Sequence, residues 1–277
     1  LIARRPVVWH LHDILTTAHV SASNIRAAVM IANSRAAAVI ANSEATAAAF
    51  RAAGGDAALV HVVYNGIASA PFDAIGSEAC TAFRAASGDQ HAYVIAACGR
   101  LAPWKGQHVL VAALEAMPDA VGWVLGRALF GEDRYAETIR IQAEELGVAD
   151  RVRFLGERED VPALLRAADL VVHTSVDPEP FGRVVVEGML ALRPVVAANA
   201  GGVPEILTHG TTGWLSPPGD PGALAETIRV VRALSDAERD AVVARAYADA
   251  TRRFAPTTMI DGVREVVMDN EAVFFDG

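Results

Sequence analysis

Along this chain, short apolar runs bounded by turn residues alternate with longer segments whose apolar residues recur at helical spacing. That alternation predicts parallel strands crossed by helices, an α/β fold. Pro6 to Leu11 (PVVWHL), Ala37 to Ala41 (AAVIA) and Leu59 to Tyr64 read as strands, with helices over Ala18–Ile31 and Ala45–Ala53 between them. Ser43 is placed to cap the second of these helices, and Gly54-Gly55 to stop it. Asn65-Gly66 closes the third strand as a turn pair. From Ile67 to Gln90 the pattern weakens around Pro71, Gly76 and Gly88, which predicts a linker around one short helix and a domain boundary near residue 90.

Tyr93 to Cys98 (YVIAAC) opens a second α/β unit. Its further strands are expected at Gly122–Leu125, Val152–Leu155, Leu170–Thr174 and Val195–Ala198. Its helices are expected at Gln107–Ala116, Tyr135–Leu146, Val161–Ala167, Ala223–Leu234 and Ala237–Tyr247, the last capped by Ser235. A final helix, Pro256–Asp269, precedes a frayed tail. The organisation expected is therefore a first domain with its linker over residues 1–90, a second domain over 91–255, and a segment over 256–277 that returns to the first domain. The chain opens on Leu1, almost inside a strand, and is expected to be a fragment that has lost N-terminal sequence.

Composition narrows the class. The 277 residues are 52% hydrophobic, enough for real cores, and carry a formal net charge of −9. An acidic chain with a pI near 5.4 does not present the basic face that nucleic acid requires. No apolar run approaches the roughly 20 residues of a membrane helix. The best candidate, Ala27 to Ala41, is broken by Asn33, Ser34 and Arg35, and no secretory signal precedes it. Cys80 and Cys98 have no partner at metal-ligand spacing and read as reduced thiols, so a cytoplasmic protein is expected, at most peripheral at a membrane.

The stretch with the most chemistry is Asp177 to Ala191 (DPEPFGRVVVEGMLA). A buried strand leads into it, Pro178 and Pro180 break the ladder, and Gly182 lets backbone approach a ligand before Val184, Val185, Gly188 and Met189 set a helical period. Bare amides at a helix start suit phosphate. Glu179 and Glu187 bracket that start with seven residues between them, which suggests a ligand carrying both phosphate and hydroxyls: a sugar nucleotide. Lys105 is the single lysine among 24 basic residues and stands beside Gly106 in another strand–loop–helix turn. It is a compact point charge for phosphate, while Arg100 offers a fork to a diphosphate. His12 and Asp13 fall at the carboxyl end of the first strand, where open parallel sheets bind ligands; His10, two residues inside, is expected to pack in the core.

Other chemistries lack their signatures. There is no G-x-G-x-x-G, H-E-x-x-H or G-x-S-x-G, and Gly126 to Gly131 continues into Glu132-Asp133 rather than into a P-loop. No two aspartates lie two apart, so the pair that often holds a divalent cation on a sugar nucleotide is missing and no metal or other cofactor is expected.

Glu179-Pro180-Phe181-Gly182 through Glu187 resembles the E-x7-E motif of retaining GT-B glycosyltransferases, family 4 in particular. Gly99-Arg100 with Lys105-Gly106, Phe154-Leu155-Gly156, Ala200 to Glu205 (AGGVPE), Gly213-Trp214-Leu215 and Pro218-Gly219-Asp220 follow the same family in the same order. The resemblance implies two Rossmann-like domains facing across a cleft, the first incomplete. It implies metal-independent transfer of a hexose from a nucleotide-sugar donor to a hydroxyl of a small-molecule, glycan or lipid acceptor. In that reading Arg100, Lys105 and Gly99 meet the diphosphate and Glu187 the ribose. Glu179 meets the transferred sugar, with amides of Phe181, Gly182 and Arg183. Arg127, Glu157 and Arg158 flank the base, and His12 faces the sugar from the first domain. The glycine-rich loop that the family carries before the His12 strand has no counterpart here, and Gly188 and Arg193 stand where alanine and glycine are more usual. Two alternatives stay open: a non-catalytic sugar-nucleotide-binding module and a GT-B nucleotide-sugar epimerase.

Overall fold

The computed structural model describes residues 7–17, 20–129 and 131–270. Pro6 as the first strand residue, Ala18 as the first helical residue and the tail beyond residue 270 lie outside the described residues. Strands β1 (Val7–Leu11), β2 (Ala36–Ala41) and β3 (Val60–Val62) form a parallel sheet in that order. The helix between β1 and β2 runs Ala22–Arg35, later than its periodicity suggests, because Ser21 caps it by accepting from the Asn24 amide at 3.3 Å. Ser43 caps the next helix, Glu44–Ala52, as its position predicts, accepting from the Thr46 amide at 3.0 Å.

The second sheet contains β4 (Tyr93–Cys98), β5 (Ala120–Leu125), β6 (Val152–Gly156), β7 (Leu170–His173), β8 (Val195–Ala198) and β9 (Trp214–Ser216). The order is β6-β5-β4-β7-β8-β9 and every pair is parallel. The chain therefore turns outward in both directions from β4. The loops after β4 and β7 diverge there and open a crevice at the carboxyl ends of the strands. Strand β9 has no counterpart in the sequence pattern: three residues are too short for a period, and pairing with β8 defines them.

Burial follows the pleat. Val94 and Ala96 of β4 face a core with Leu165, Met189 and Phe254, while Ile95 and Ala97 face another with Leu110, Ile139 and Ile228. In the first sheet, Val39 packs with Ile25 and Phe50; Ala38 and Ile40 pack with Val63 and Val266. Val266 belongs to the helix Pro256–Asp269, which lies on the first sheet with Met259 and Val263. The return is tight at Gly66, where a Cβ would sit 2.6 Å from the Cα of Pro256.

The linker holds two helices, Ala70–Asp73 and Ser77–Ala86, rather than the single one predicted. Phe83 and Cys80 of the second pack on the second sheet's core, and Arg84 pairs with Asp169 at 2.9 Å. That anchorage comes from residues far away in sequence, so local pattern missed it. Among the described residues no helix is long and apolar enough to cross a membrane.

Candidate active site

The crevice at the carboxyl ends holds a cavity of about 400 Å³ walled from both sheets. His12, Asp13, Asn42 and Asn65 come from the first; Gly99, Lys105, Glu179, Phe181, Gly182, Arg183 and Glu187 come from the second. Of the twelve residues the sequence singled out, eight line this cavity: His12, Gly99, Lys105, Glu179, Phe181, Gly182, Arg183 and Glu187.

Glu179 is its electrostatic centre. The carboxylate is 8% exposed and accepts from Lys105 Nζ at 2.9 and 2.7 Å and from Ser175 Oγ at 2.9 Å. His173 Nε2 lies 3.4 Å from the same oxygen as Ser175. Burial pushes this carboxyl up, but the His173 hydrogen bond and the Lys105 ammonium outweigh it and hold the group at about 2. The loop is fixed from behind by glycines. Gly202 donates its amide to the Glu179 carbonyl at 2.8 Å, and a Cβ on Gly201 (φ +63°) would lie 2.1 Å from that carbonyl oxygen. On the lysine side, Gly106 (φ +68°) lets the turn after β4 meet the Thr174 carbonyl, 2.0 Å from where a Cβ would stand.

Glu187 sits in the second turn of the helix Arg183–Leu190, which Gly182 starts at φ +102°. Burial raises its carboxyl above the ordinary value, against the pull of Arg183, whose guanidinium is 3.5 Å away. Cys98, beside it in the cavity wall, is pushed up to about 12 by burial and by Glu187, so the thiol stays protonated.

The remaining four residues are held elsewhere. Arg100 lines a neighbouring cavity of about 510 Å³ that shares Asp13, Trp104 and Pro180 with the first, and is ion-paired with Glu132 at 3.4 Å. Arg127 and Glu157 pair with each other at 2.7 Å, more than half exposed, and Arg158 pairs with Asp160 at 2.6 Å. These three lie on the turns after β5 and β6, which are tied together by the Gly126 amide on the Gly156 carbonyl at 2.7 Å. They do not line the cavity.

His12 is exposed at the cavity edge, and Asn42 Nδ2 donates to its carbonyl at 3.3 Å. His10 is half-buried rather than a core residue. Its ring stacks on that of His12 at 4.2 Å, and burial, then the neighbouring imidazole, push it down.

Two groups that the sequence pattern did not single out, and a third known only as the end of the AGGVPE stretch, complete the arrangement. His173 and Ser175 brace Glu179; the rule that singled out His12, a polar residue at a strand's carboxyl end, applies equally to His173. Glu205, from the glycine-rich turn after β8, accepts the amides of Glu44 and Ala45 at 2.7 and 2.8 Å and the hydroxyl of Tyr64 at 3.2 Å. A carboxylate from the second sheet thus caps a helix of the first, a favourable charge at a helix N-terminus. Thr46 of that helix donates to Asn42 Oδ1 at 2.9 Å, linking the cap to the residue that holds His12.

Residues 81–248 match the family model described as glycosyl transferases group 1, and residues 1–70 match glycosyltransferase family 4. A D-inositol 3-phosphate glycosyltransferase of Corynebacterium efficiens is 39% identical over 145 residues, 50% of this chain and 34% of that protein. Its counterpart in Mycolicibacterium vanbaalenii is 33% identical over 220 residues, 75% of this chain and 47% of that protein. The chain thus spans between about a third and a half of the length of these curated relatives. Among solved structures, Anabaena Alr3699/HepE in complex with UDP-glucose superposes with a TM-score of 0.93 and 42% identity, covering 96% of this chain and 73% of that one. WaaG, a glycosyltransferase involved in lipopolysaccharide biosynthesis, shares the fold at 18% identity with a TM-score of 0.78.

Proposed function

Because this chain belongs to the glycosyl transferases group 1 family and has the GT-B architecture, we propose that it transfers a hexose from a uridine diphosphate sugar to an acceptor hydroxyl, with retention of configuration and without a metal ion. The observation that carries the reading is that Lys105, from a distant part of the sequence, faces one cavity with Glu179 and Glu187 at the crevice between the sheets. The 42% identity to a protein solved with UDP-glucose supports uridine as the base.

The ammonium of Lys105 has three donors. Two engage Glu179, which leaves one for a donor phosphate oxygen and keeps a positive charge where the diphosphate leaves. Arg100, which lines the neighbouring cavity beside Trp104, contributes its guanidinium to the same diphosphate. Glu187 accepts from the two ribose hydroxyls with its two oxygens, and Glu179 accepts from hydroxyls of the sugar. As the bond from the anomeric carbon to phosphate breaks, the acceptor oxygen bonds that carbon on the same face, and its proton passes to the departing phosphate oxygen. No protein base is required, which suits a site whose central carboxylate, Glu179, is already bonded to Lys105 and Ser175. The acceptor is a small-molecule, glycan or lipid hydroxyl, the last requiring only peripheral contact with a membrane.

The test is incubation with UDP-glucose and a panel of hydroxyl acceptors, in chelator, followed by NMR of the product's anomeric proton. An α-linked product from the α-linked donor, formed in chelator, is the expected result. Inversion or a strict metal requirement would overturn the mechanism. UDP binding without any transfer would favour a binding module.

A further inference from the structure

On the opposite end of the second sheet from the crevice, three arginines converge. Arg84 of the helix Ser77–Ala86, Arg166 of the helix Val161–Ala167 and Arg193 just before β8 line a cavity of about 300 Å³ with Ser77, Cys80 and Thr81. It lies at the amino ends of β7 and β8, so it is separate from the cavity proposed for the donor.

Local charge does not balance. Asp169, whose charge Arg193 also feels, is the carboxylate of this region and is already engaged: both terminal nitrogens of Arg84 donate to it at 2.9 Å and the Val94 amide donates at 2.7 Å. Asp73, which feels Arg166, is already bonded to the hydroxyls of Tyr247 at 2.7 Å and Ser69 at 2.8 Å. Among the described residues, Arg84 Nε, Arg166 Nη1 and Arg193 Nε are buried donors without a hydrogen-bond partner. Leaving buried charged donors unmatched is costly, and guanidinium cannot shed its proton to escape the cost. Three such groups in a chain of net charge −9 stand out.

We infer that this cavity is a binding site for a phosphate group, on a soluble phosphate ester or a lipid headgroup. Arg166 and Arg193 offer forked donors to the free oxygens of a phosphate, while Arg84, whose terminal nitrogens are held by Asp169 and the Ala92 carbonyl, has only its Nε to add. Ser77 adds a neutral hydroxyl at the rim, while the Thr81 hydroxyl donates to the Ser77 carbonyl at 3.0 Å.

The test is calorimetric titration of inorganic phosphate into the full chain, Lys105→Ala, and Arg166→Gln/Arg193→Gln, with UDP binding measured on each. Phosphate affinity at least tenfold weaker in the double variant and retained in Lys105→Ala is the expected result. No binding to the full chain would overturn the site; loss of binding in Lys105→Ala with no loss in the double variant would also overturn it and assign phosphate to the crevice alone. Should the double variant fail to fold, ¹⁵N-resolved arginine Nε–H signals in the unmodified chain serve instead. Phosphate must move the signals of Arg166 and Arg193, and unmoved signals refute the site. Vesicles of phosphatidylglycerol that sediment with the full chain and not with the double variant would put the phosphate on a lipid; phosphate binding without sedimentation puts it on a soluble ester. Either supports the site.

Discussion

Lys105 Nζ stands between the two carboxylate oxygens of Glu179, at 2.9 and 2.7 Å, while the aromatic face of Trp104 lies 4.2 Å from the same nitrogen. The pair joins the turn after β4 to the loop after β7, the two loops that diverge at the sheet's switch point. The His173 hydrogen bond and then the lysine keep the carboxylate ionised in a buried site, and the carboxylate fixes where the ammonium points.

Lys105→Ala should abolish transfer and weaken UDP binding at least tenfold, and should also change acid stability. Glu179 is depressed to about 2 from an ordinary 4.5, so its contribution is complete above 4.5 and is lost as pH falls through 2. That shift corresponds to about 3 kcal/mol. Chemical unfolding between pH 5 and pH 2 should show a shallower fall for Lys105→Ala than for the parent. Equal slopes would mean the ammonium does not hold the carboxylate.

Glu187 has the opposite sign. Its carboxyl is raised above 4.5 by burial, so the folded protein binds a proton that the unfolded chain has released, and this group's contribution declines as pH rises through the folded value. Ionised oxygens are needed to accept from ribose, so UDP affinity should drop on acidification at a pH above 4.5. Glu187→Gln should bind weakly and lose that acid limb. A limb that persists in the glutamine variant would assign it to another group.

Glu205→Ala removes two charge-assisted hydrogen bonds from the start of the helix Glu44–Ala52. A loss of about 2 kcal/mol is expected from such a cap. Hydrogen exchange at the Glu44 and Ala45 amides should accelerate, and kcat should fall because this link between the second sheet and the first, which carries His12, is gone. Unchanged exchange at those two amides would show that the cap does not carry the interface.

Gly201→Ala should be far worse than Gly210→Ala. Both glycines have positive φ, +63° and +71°, and each alanine costs about 1–2 kcal/mol on that account. Only at Gly201 would the new Cβ strike backbone, 2.1 Å from the Glu179 carbonyl oxygen; at Gly210 nothing lies within 4 Å. UDP affinity should collapse in the first variant and survive in the second. Comparable binding in both would separate the Gly201 contact from the placement of Glu179.

Pattern alone determined the alternation of strands and helices, because burial on one face of a helix or on both faces of a parallel strand leaves a local period. It gave β4, β8 and the helices Val161–Ala167 and Pro256–Asp269 to the residue, and Ser43 and Ser235 as caps, since a cap acts within three residues. It also picked out Lys105 and Glu179 in turns after strands, and Glu187 in the helix that follows. Tertiary structure decided the rest. Strand β9 exists because β8 offers it hydrogen bonds; the second linker helix exists because Arg84 and Phe83 find partners on a distant sheet. Arg127, Glu157 and Arg158 pair among themselves and with Asp160 instead of turning inward. The bracing of Glu179 by His173, the capping of Glu44 by Glu205 and the convergence of three arginines beneath the sheet all join residues with no local relationship. Sequence spacing records what a residue does with its near neighbours; charge pairing across the fold is fixed only when the chain has closed.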